Sequence, residues 1–384
     1  MAAVTTRPRR PAGLARPAGR RSGTFVSLFL LVLLLNLIGL VMVLSASSVT
    51  SLDDNGSSWF HFQRQAIWSC LAFVALMVTM RVDYHRWRHL ARPFLVVTVG
   101  LLLVVLLPGL GVSANGASRW IQIGPITIQP SELAKLGIVV FSADLLARRA
   151  PSLHRSVAGL RPIVVVVAIL AGLILLQPSL GAAIIVGAIA FGVMFVAGVR
   201  FLPLAATALA SMGLATALSM SASYRRDRVF AFLDPWDDPL NTGYQTIQSL
   251  VGIASGGLSG TGLGTGRAKF GYLPFAHTDF IFAVVAEELG WLGATFVIAL
   301  FVGLAIVGIR ISMQSRDLLG TLLAAGVTTW LTLQAFINIG AVVGLLPVTG
   351  VSLPFLSFGG SALVVNMAAI GIVLNVARQG RVAS

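Results

Sequence analysis

The sequence predicts an all-α, polytopic integral membrane protein of about ten spanning helices, and three observations predict it. Hydrophobic residues make up 57% of the 384 positions, charged residues only 10%, and mean hydropathy is +0.91. A soluble domain of this length needs far more charge to cover its surface. Apolar runs of about 17–25 residues, long enough to cross a ~30 Å hydrocarbon core, recur from end to end. Most of the 27 Lys and Arg then fall on one side of a ten-span arrangement, which marks that side as cytoplasmic.

In chain order, residues 1–23 are rich in Arg, Pro, Ala and Gly, with no short apolar core of a cleavable signal, and a full-length span follows at once. They read as a disordered basic cytoplasmic tail ahead of a signal anchor. Spans are expected near 24–45, 65–81, 93–108, 131–147, 161–177, 180–197, 201–221, 281–309, 318–340 and 362–377. They form one domain over 24–378, with 379–384 a short second cytoplasmic tail. The breaks around the sixth span rest on Gln177-Pro178 and on Val199-Arg200-Phe201-Leu202-Pro203. The single cysteine, Cys70, lies in the second span, so no intrachain disulfide can form. A net charge of +14 raises the question of nucleic acid, but the basic excess is spent on topology and no nucleic-acid partner is expected.

The basic residues that break the topology rule carry more information. Arg64, Arg119, Arg225, Arg226, Arg228, Arg267 and Lys269 fall on the outer side, and Lys135 lies inside the fourth span. Five of them belong to the longest loop, about 222–280 between spans seven and eight, together with Asp227, Asp234, Asp237, Asp238 and Asp279. A loop that long is functional or disordered. Its Trp236, Tyr244, Tyr272 and Phe275 point to order against the membrane surface. Arg225–Arg228 either pair with Asp234–Asp238 or meet an anionic ligand such as a lipid pyrophosphate, for which Arg267 and Lys269 are better placed.

Four stretches stand out. GGLSGTGLGTG (256–266) either presents N–H groups to an anion or serves as a hinge; it lacks the spacing of a nucleotide loop. In QPSELAK (129–135), Glu132 and Lys135 share a helix face, as an internal ion pair, as the lining of a polar cavity, or as both. Asp279 stands where loop becomes span, as a helix N-cap or as a reactive acid at the lipid–water boundary. Glu287 and Glu288 lie about 12 Å further along that helix, too far to form a carboxylate dyad with Asp279. Finally PVTGVSLPFLSFGGS (347–361) is too rich in Pro and Gly for a regular helix, and Asn338, Ser357 and Ser361 add polar groups to a re-entrant or surface element there.

Taken with ANGASRWIQIG (114–124), GYQTIQSLVGIASGGLSGTGLG (243–264), YLPFAHTDFIFAVVAEELGWLG (272–293) and FINIGAVVGLLPVTGVSLPFLSFGGS (336–361), these segments resemble the SEDS family (shape, elongation, division and sporulation) of peptidoglycan polymerases. VMVLSASS (41–48) and FQRQAIW (62–68) are more similar to its division member than to its elongation member. One departure is QPSLGA (177–182), where the family usually has Gln-Pro-Asp-Leu-Gly-Thr; Ser179 and Ala182 replace the acid and the hydroxyl. The resemblance implies ten spans, a bacterial inner membrane, cytoplasmic termini and a place at the division septum. It implies a glycosyltransferase that polymerises lipid II, a disaccharide-pentapeptide on undecaprenyl pyrophosphate, with no organic cofactor and with Mg or Mn as the divalent cation that suits the pyrophosphate. It also implies a class B penicillin-binding transpeptidase and other divisome proteins as partners. Asp279 matches the essential loop aspartate and would be the general base. Arg119, Lys135, Arg267 and Lys269 would face the leaving pyrophosphate, and Glu132 would orient Lys135. Gln245, His277, Thr278, Ser357 and Ser361 lie in the shared motifs as further substrate contacts. A lipid II flippase, an elongation polymerase and a non-catalytic scaffold are the competing readings.

Overall fold

The computed structural model describes residues 23–109, 111–114, 117–124, 126–153, 157–200, 202, 204–209, 213 and 223–380. The expected N-terminal tail and most of the expected span at 201–221 lie outside these residues. Eleven helices are described. They are α1 (Gly23–Asn55), α2 (Phe60–Arg81), α3 (Trp87–Val105), α4 (Pro130–Leu153), α5 (Arg161–Leu176), α6 (Leu180–Val196), α7 (Ser223–Leu233), α8 (Tyr244–Gly256), α9 (Ile281–Met313), α10 (Leu318–Val342) and α11 (Gly360–Gln379). By length and composition α1, α2, α3, α9, α10 and α11 can each cross a membrane, while α5 and α6 are shorter apolar helices. Helix α4 is long enough but carries Glu132, Lys135 and Asp144, all buried among its neighbours.

Between α3 and α4 the all-α expectation misses a small antiparallel sheet of β1 (Gly111–Ala114), β2 (Ala117–Ile123) and β3 (Ile126–Ile128), in that order. Its strands carry the β-branched Val112, Ile121, Ile123, Ile126, Thr127 and Ile128, and in sequence Asn115-Gly116 and Gly124-Pro125, the punctuation of short hairpins, separate one strand from the next.

Helices α10 and α11 form the centre, with 72% of the apolar window of each enclosed by protein, against 28% for α2. The outer helices turn Leu30, Leu37, Val74, Val96 and Val97 outward, as a lipid-facing surface requires. At one end of the bundle lie the sheet and the segments 256–280 and 343–359; this is the sheet end. At the other, Thr24 donates to Gln314, and Asp317 caps α10 by accepting from the Gly320 amide at 2.9 Å.

Helix α9 is broken. Gly290 has φ +68°, and beside it the amides of Trp291 and Leu292 donate to the carbonyls of Gly257 and Leu258. The amides of Thr261 and Gly262 in turn donate to the carbonyls of Glu287 and Glu288. The glycine-rich segment therefore lies directly on the α9 backbone. A Cβ at Gly256 would collide with the Ala286 carbonyl, and one at Gly260 with that of Glu288. Close backbone approach is the physical reason for the glycines.

Candidate active site

Asp279 lies half-buried in the turn that leads into α9 at the sheet end. The cap position of that helix is Phe280, whose side chain makes no capping hydrogen bond. The turn is held from a distance instead. Asn338 Nδ2, on α10, donates to the Asp279 carbonyl at 2.7 Å and to the Val351 carbonyl at 2.7 Å. One helical turn deeper, Gln334 Nε2 donates to the Ser352 carbonyl at 2.9 Å.

Gln334 also ties in the fourth-span charges. Its Oε1 accepts from Lys135 Nζ at 2.7 Å and from Trp330 Nε1 at 2.8 Å. Lys135 Nζ also pairs with Glu132 Oε1 at 2.7 Å and lies 5.2 Å from the centre of the Trp330 ring. Lys135 is 1% exposed and Glu132 5%, so this is a desolvated ion pair completed by an amide and an aromatic face. Glu132 Oε2 and Asn338 Oδ1 are buried without a hydrogen-bond partner.

Next to Asp279, Thr278 Oγ1 donates to the Phe275 carbonyl at 3.1 Å. The His277 ring packs 5.0 Å from His61 and 5.7 Å from Phe358, and the His277 carbonyl accepts from the Phe358 amide at 2.9 Å. Burial, then the neighbouring His61, pushes the His277 pKa down to about 4. Two turns of the same composition meet here. Leu273-Pro274-Phe275 and Leu353-Pro354-Phe355 each carry a phenylalanine at positive φ, +59° and +66°. Ser357 Oγ accepts from the Leu353 amide at 2.8 Å, and Ser361 Oγ accepts from the Gln129 amide at 3.2 Å, one residue ahead of α4.

The structure thus brings Glu132, Lys135, His277, Thr278, Asp279, Ser357 and Ser361 to one end of one polar seam. The other expected residues lie around it. Gln245 lines a cavity of about 400 Å³ with Asp227, Tyr244, Pro274 and Val348. Arg119, on β2, donates Nε to the Gln177 carbonyl at 3.1 Å and Nη2 to the Pro178 carbonyl, bracing the break between α5 and α6. Lys269 Nζ donates to the Gly264 carbonyl, whereas Arg267 is exposed. The glycine run is not an open anion cradle. The amides of Arg267 and Ala268 donate to the Glu287 carboxylate at 2.6 and 3.2 Å, and that of Gly266 to Glu288 at 3.4 Å. Ser45 Oγ completes the Glu288 shell at 2.7 and 2.6 Å. The two glutamates fasten a loop. The sequence did not single out Gln334 or Gln65, whose Nε2 donates to the Ser357 carbonyl at 3.3 Å; a Gln334–Asn338 pair four apart in an apolar helix was the available signal.

A helical bundle of membrane length, with a buried Glu132–Lys135–Gln334 seam on the same helix, α10, as the Asn338 amide that holds the Asp279 turn, defines a multi-pass membrane protein with a polar seam near one end. The chain belongs to the family of FtsW, RodA and SpoVE, described as cell cycle proteins, whose match covers residues 25–382. It is 42% identical over 349 residues to a probable peptidoglycan glycosyltransferase FtsW of Geobacter metallireducens, covering 91% of this chain and 93% of that one. It is 41% identical over 354 residues to stage V sporulation protein E of Bacillus subtilis, covering 92% and 97%. Among solved structures it is similar to RodA of Thermus thermophilus (TM-score 0.68, 29% identity, 91% and 95% covered). It is also similar to a chain of a peptidoglycan synthase complex that coordinates polymerization and crosslinking (TM-score 0.74, 32% identity, 91% and 96% covered).

Proposed function

We propose that this chain is a peptidoglycan glycosyltransferase that polymerises lipid II at the outer face of the bacterial inner membrane, during septal wall synthesis. The observation that carries the reading is Asp279 at the mouth of the seam, in a family whose relatives are named for this activity. In the reaction, the Asp279 carboxylate takes the proton of the acceptor's GlcNAc 4-hydroxyl. The hydroxyl oxygen bonds to C1 of the donor's MurNAc, and the C1–O bond to undecaprenyl pyrophosphate breaks. A half-buried carboxylate at the membrane edge suits substrates with a lipid tail below it and sugars above it.

Arg267 is an exposed cation available to the departing pyrophosphate. Lys135 acts from inside the seam, held by Glu132. Among the described residues there is no group of three or more His, Cys, Asp or Glu able to hold a metal. Mg or Mn would enter as the counter-ion of the substrate pyrophosphate. The sheet end is the outer end, and both termini are cytoplasmic, in line with the basic loops opposite. The partner is a class B penicillin-binding transpeptidase, supported by the synthase complex among the similar structures. Placement at the division septum with other divisome proteins rests on the FtsW-named relatives.

The test is product length. The purified protein with its cognate transpeptidase, given lipid II, should release long glycan strands. Movement of lipid II across vesicles with no strand formed would replace this reading with that of a flippase.

A further inference from the structure

We propose that Asn338 is the positioning residue for Asp279, clamping the turn that carries it to the 351–352 backbone; this rests on Asp279 being the reacting base. Within the turn the amides of Thr278 and Phe280 and the Thr278 hydroxyl all converge on the Phe275 carbonyl, and the Phe358 amide reaches the His277 carbonyl. Residues 271–280 contain no regular element, Phe275 sits at positive φ, and the α9 cap residue, Phe280, has no capping side chain. Asn338 Nδ2 reaches the Asp279 carbonyl from a rigid element, α10.

The chemistry selects an amide. One nitrogen supplies two N–H donors, one to the Asp279 carbonyl and one to the Val351 carbonyl, and Asn338 is 3% exposed. Aspartate and leucine donate nothing, and a serine hydroxyl donates once. Gln334 then fixes the register. Four residues away, about 6 Å along the same face, it grips the adjacent Ser352 carbonyl while accepting from Lys135. Neighbouring carbonyls held by two amides of one helix cannot slide without breaking both contacts. Helix α10 thereby sets the distance between the Asp279 turn and the buried Lys135.

The experiment compares wild type, Asn338→Leu, Asn338→Asp, Asn338→Gln and Asp279→Asn, each as the complex with the cognate transpeptidase and assayed on lipid II. Ser249→Ala is the structural control, since it deletes a comparable bond from Ser249 Oγ to the Val342 carbonyl at 2.7 Å, one turn further along α10. The clamp predicts that Asn338→Leu and Asn338→Asp lose ~10²-fold in kcat, the scale of an ångström-sized misplacement of a reacting group. Their KM should stay within about two-fold, because ground-state binding is untouched. Asn338→Gln, which keeps both donors, should regain part of the rate. Ser249→Ala should keep its kcat. Wild-type kcat in Asn338→Leu, with Asp279→Asn inactive, overturns the clamp alone. So does a loss in Asn338→Leu that tracks its fraction of folded complex, as a purely structural role requires. Activity in Asp279→Asn overturns the underlying assignment of the base, and the clamp with it.

Discussion

His277 at the sheet end and His85 at the opposite end are both held by neighbours from distant parts of the chain, but by opposite chemistry. His277 lies among the rings of His61 and Phe358, largely out of water. His85 lies between two carboxylates, with Nδ1 2.8 Å from Asp83 and Nε2 2.7 Å from Asp317, and all three side chains are substantially exposed. Around His85 the contacts are redundant. Tyr84 OH donates to Asp317 at 3.1 Å, the Tyr84 amide donates to Asn375 at 2.9 Å, and Gln379 donates to Asn375 at 2.8 Å. At the sheet end the amides of Asn338 and Gln334 hold the turn backbones, and the buried charges Glu132, Lys135, Glu287 and Glu288 are met by an ion pair, an amide, backbone N–H groups and Ser45. The difference teaches where precision is spent. Water forgives a lost partner at the His85 end; in the seam each lost partner leaves a desolvated group behind.

The largest expected effect is in the seam. Lys135→Met leaves the Glu132 carboxylate buried and uncompensated, and should cost about 3–5 kcal/mol in denaturant unfolding of the detergent-solubilised protein. Adding Glu132→Gln should recover most of that loss. A single variant as stable as wild type would show that the pair is not the desolvated unit described.

Next comes pH. The folded pKa of His277, about 4, lies below its ordinary value of 6.5, so on acidification the unfolded chain takes the proton first. Stability from this group is complete above pH 6.5 and is lost as pH falls towards 4, by up to roughly 3 kcal/mol. His277→Phe should flatten that part of the stability–pH curve; an unchanged slope would place the acid sensitivity elsewhere.

At the opposite end Asp317→Ala removes both a helix cap and an exposed partner of His85, and should cost only about 1–2 kcal/mol. Polymerisation per folded complex should be unchanged. A loss of rate there would mean that the two ends are coupled. Smallest is Phe275→Gly. Phe275 is 44% exposed and holds a left-handed backbone that favours glycine, so the change should be neutral or stabilising by at most ~1 kcal/mol. Phe355, at a similar φ but 2% exposed, should instead lose its packing on the same substitution.

Hydropathy made most of the helices legible, because an apolar run of membrane length has few other uses. The break at Gly290 was hidden, since apolar residues of helical length continue on both sides of Glu287-Glu288 and the interruption comes from the glycine segment lying across the helix. For the same reason the glycines at 256–266 suggested an anion cradle or a hinge, when their spacing answers to the α9 backbone. Glu132 and Lys135 were readable as a pair because they are three apart on one helix. Their third member, Gln334, lies 199 positions from Lys135, and nothing local announces that contact. The strands at 111–128 are too short for alternation to stand out from a loop.

The central claim, that Asp279 performs the chemistry, is tested most directly by lipid II polymerisation with the cognate transpeptidase, wild type against Asp279→Asn. The account predicts long glycan strands from wild type and none from a variant that folds and binds its partner normally. Strands of equal length and yield from both would contradict it.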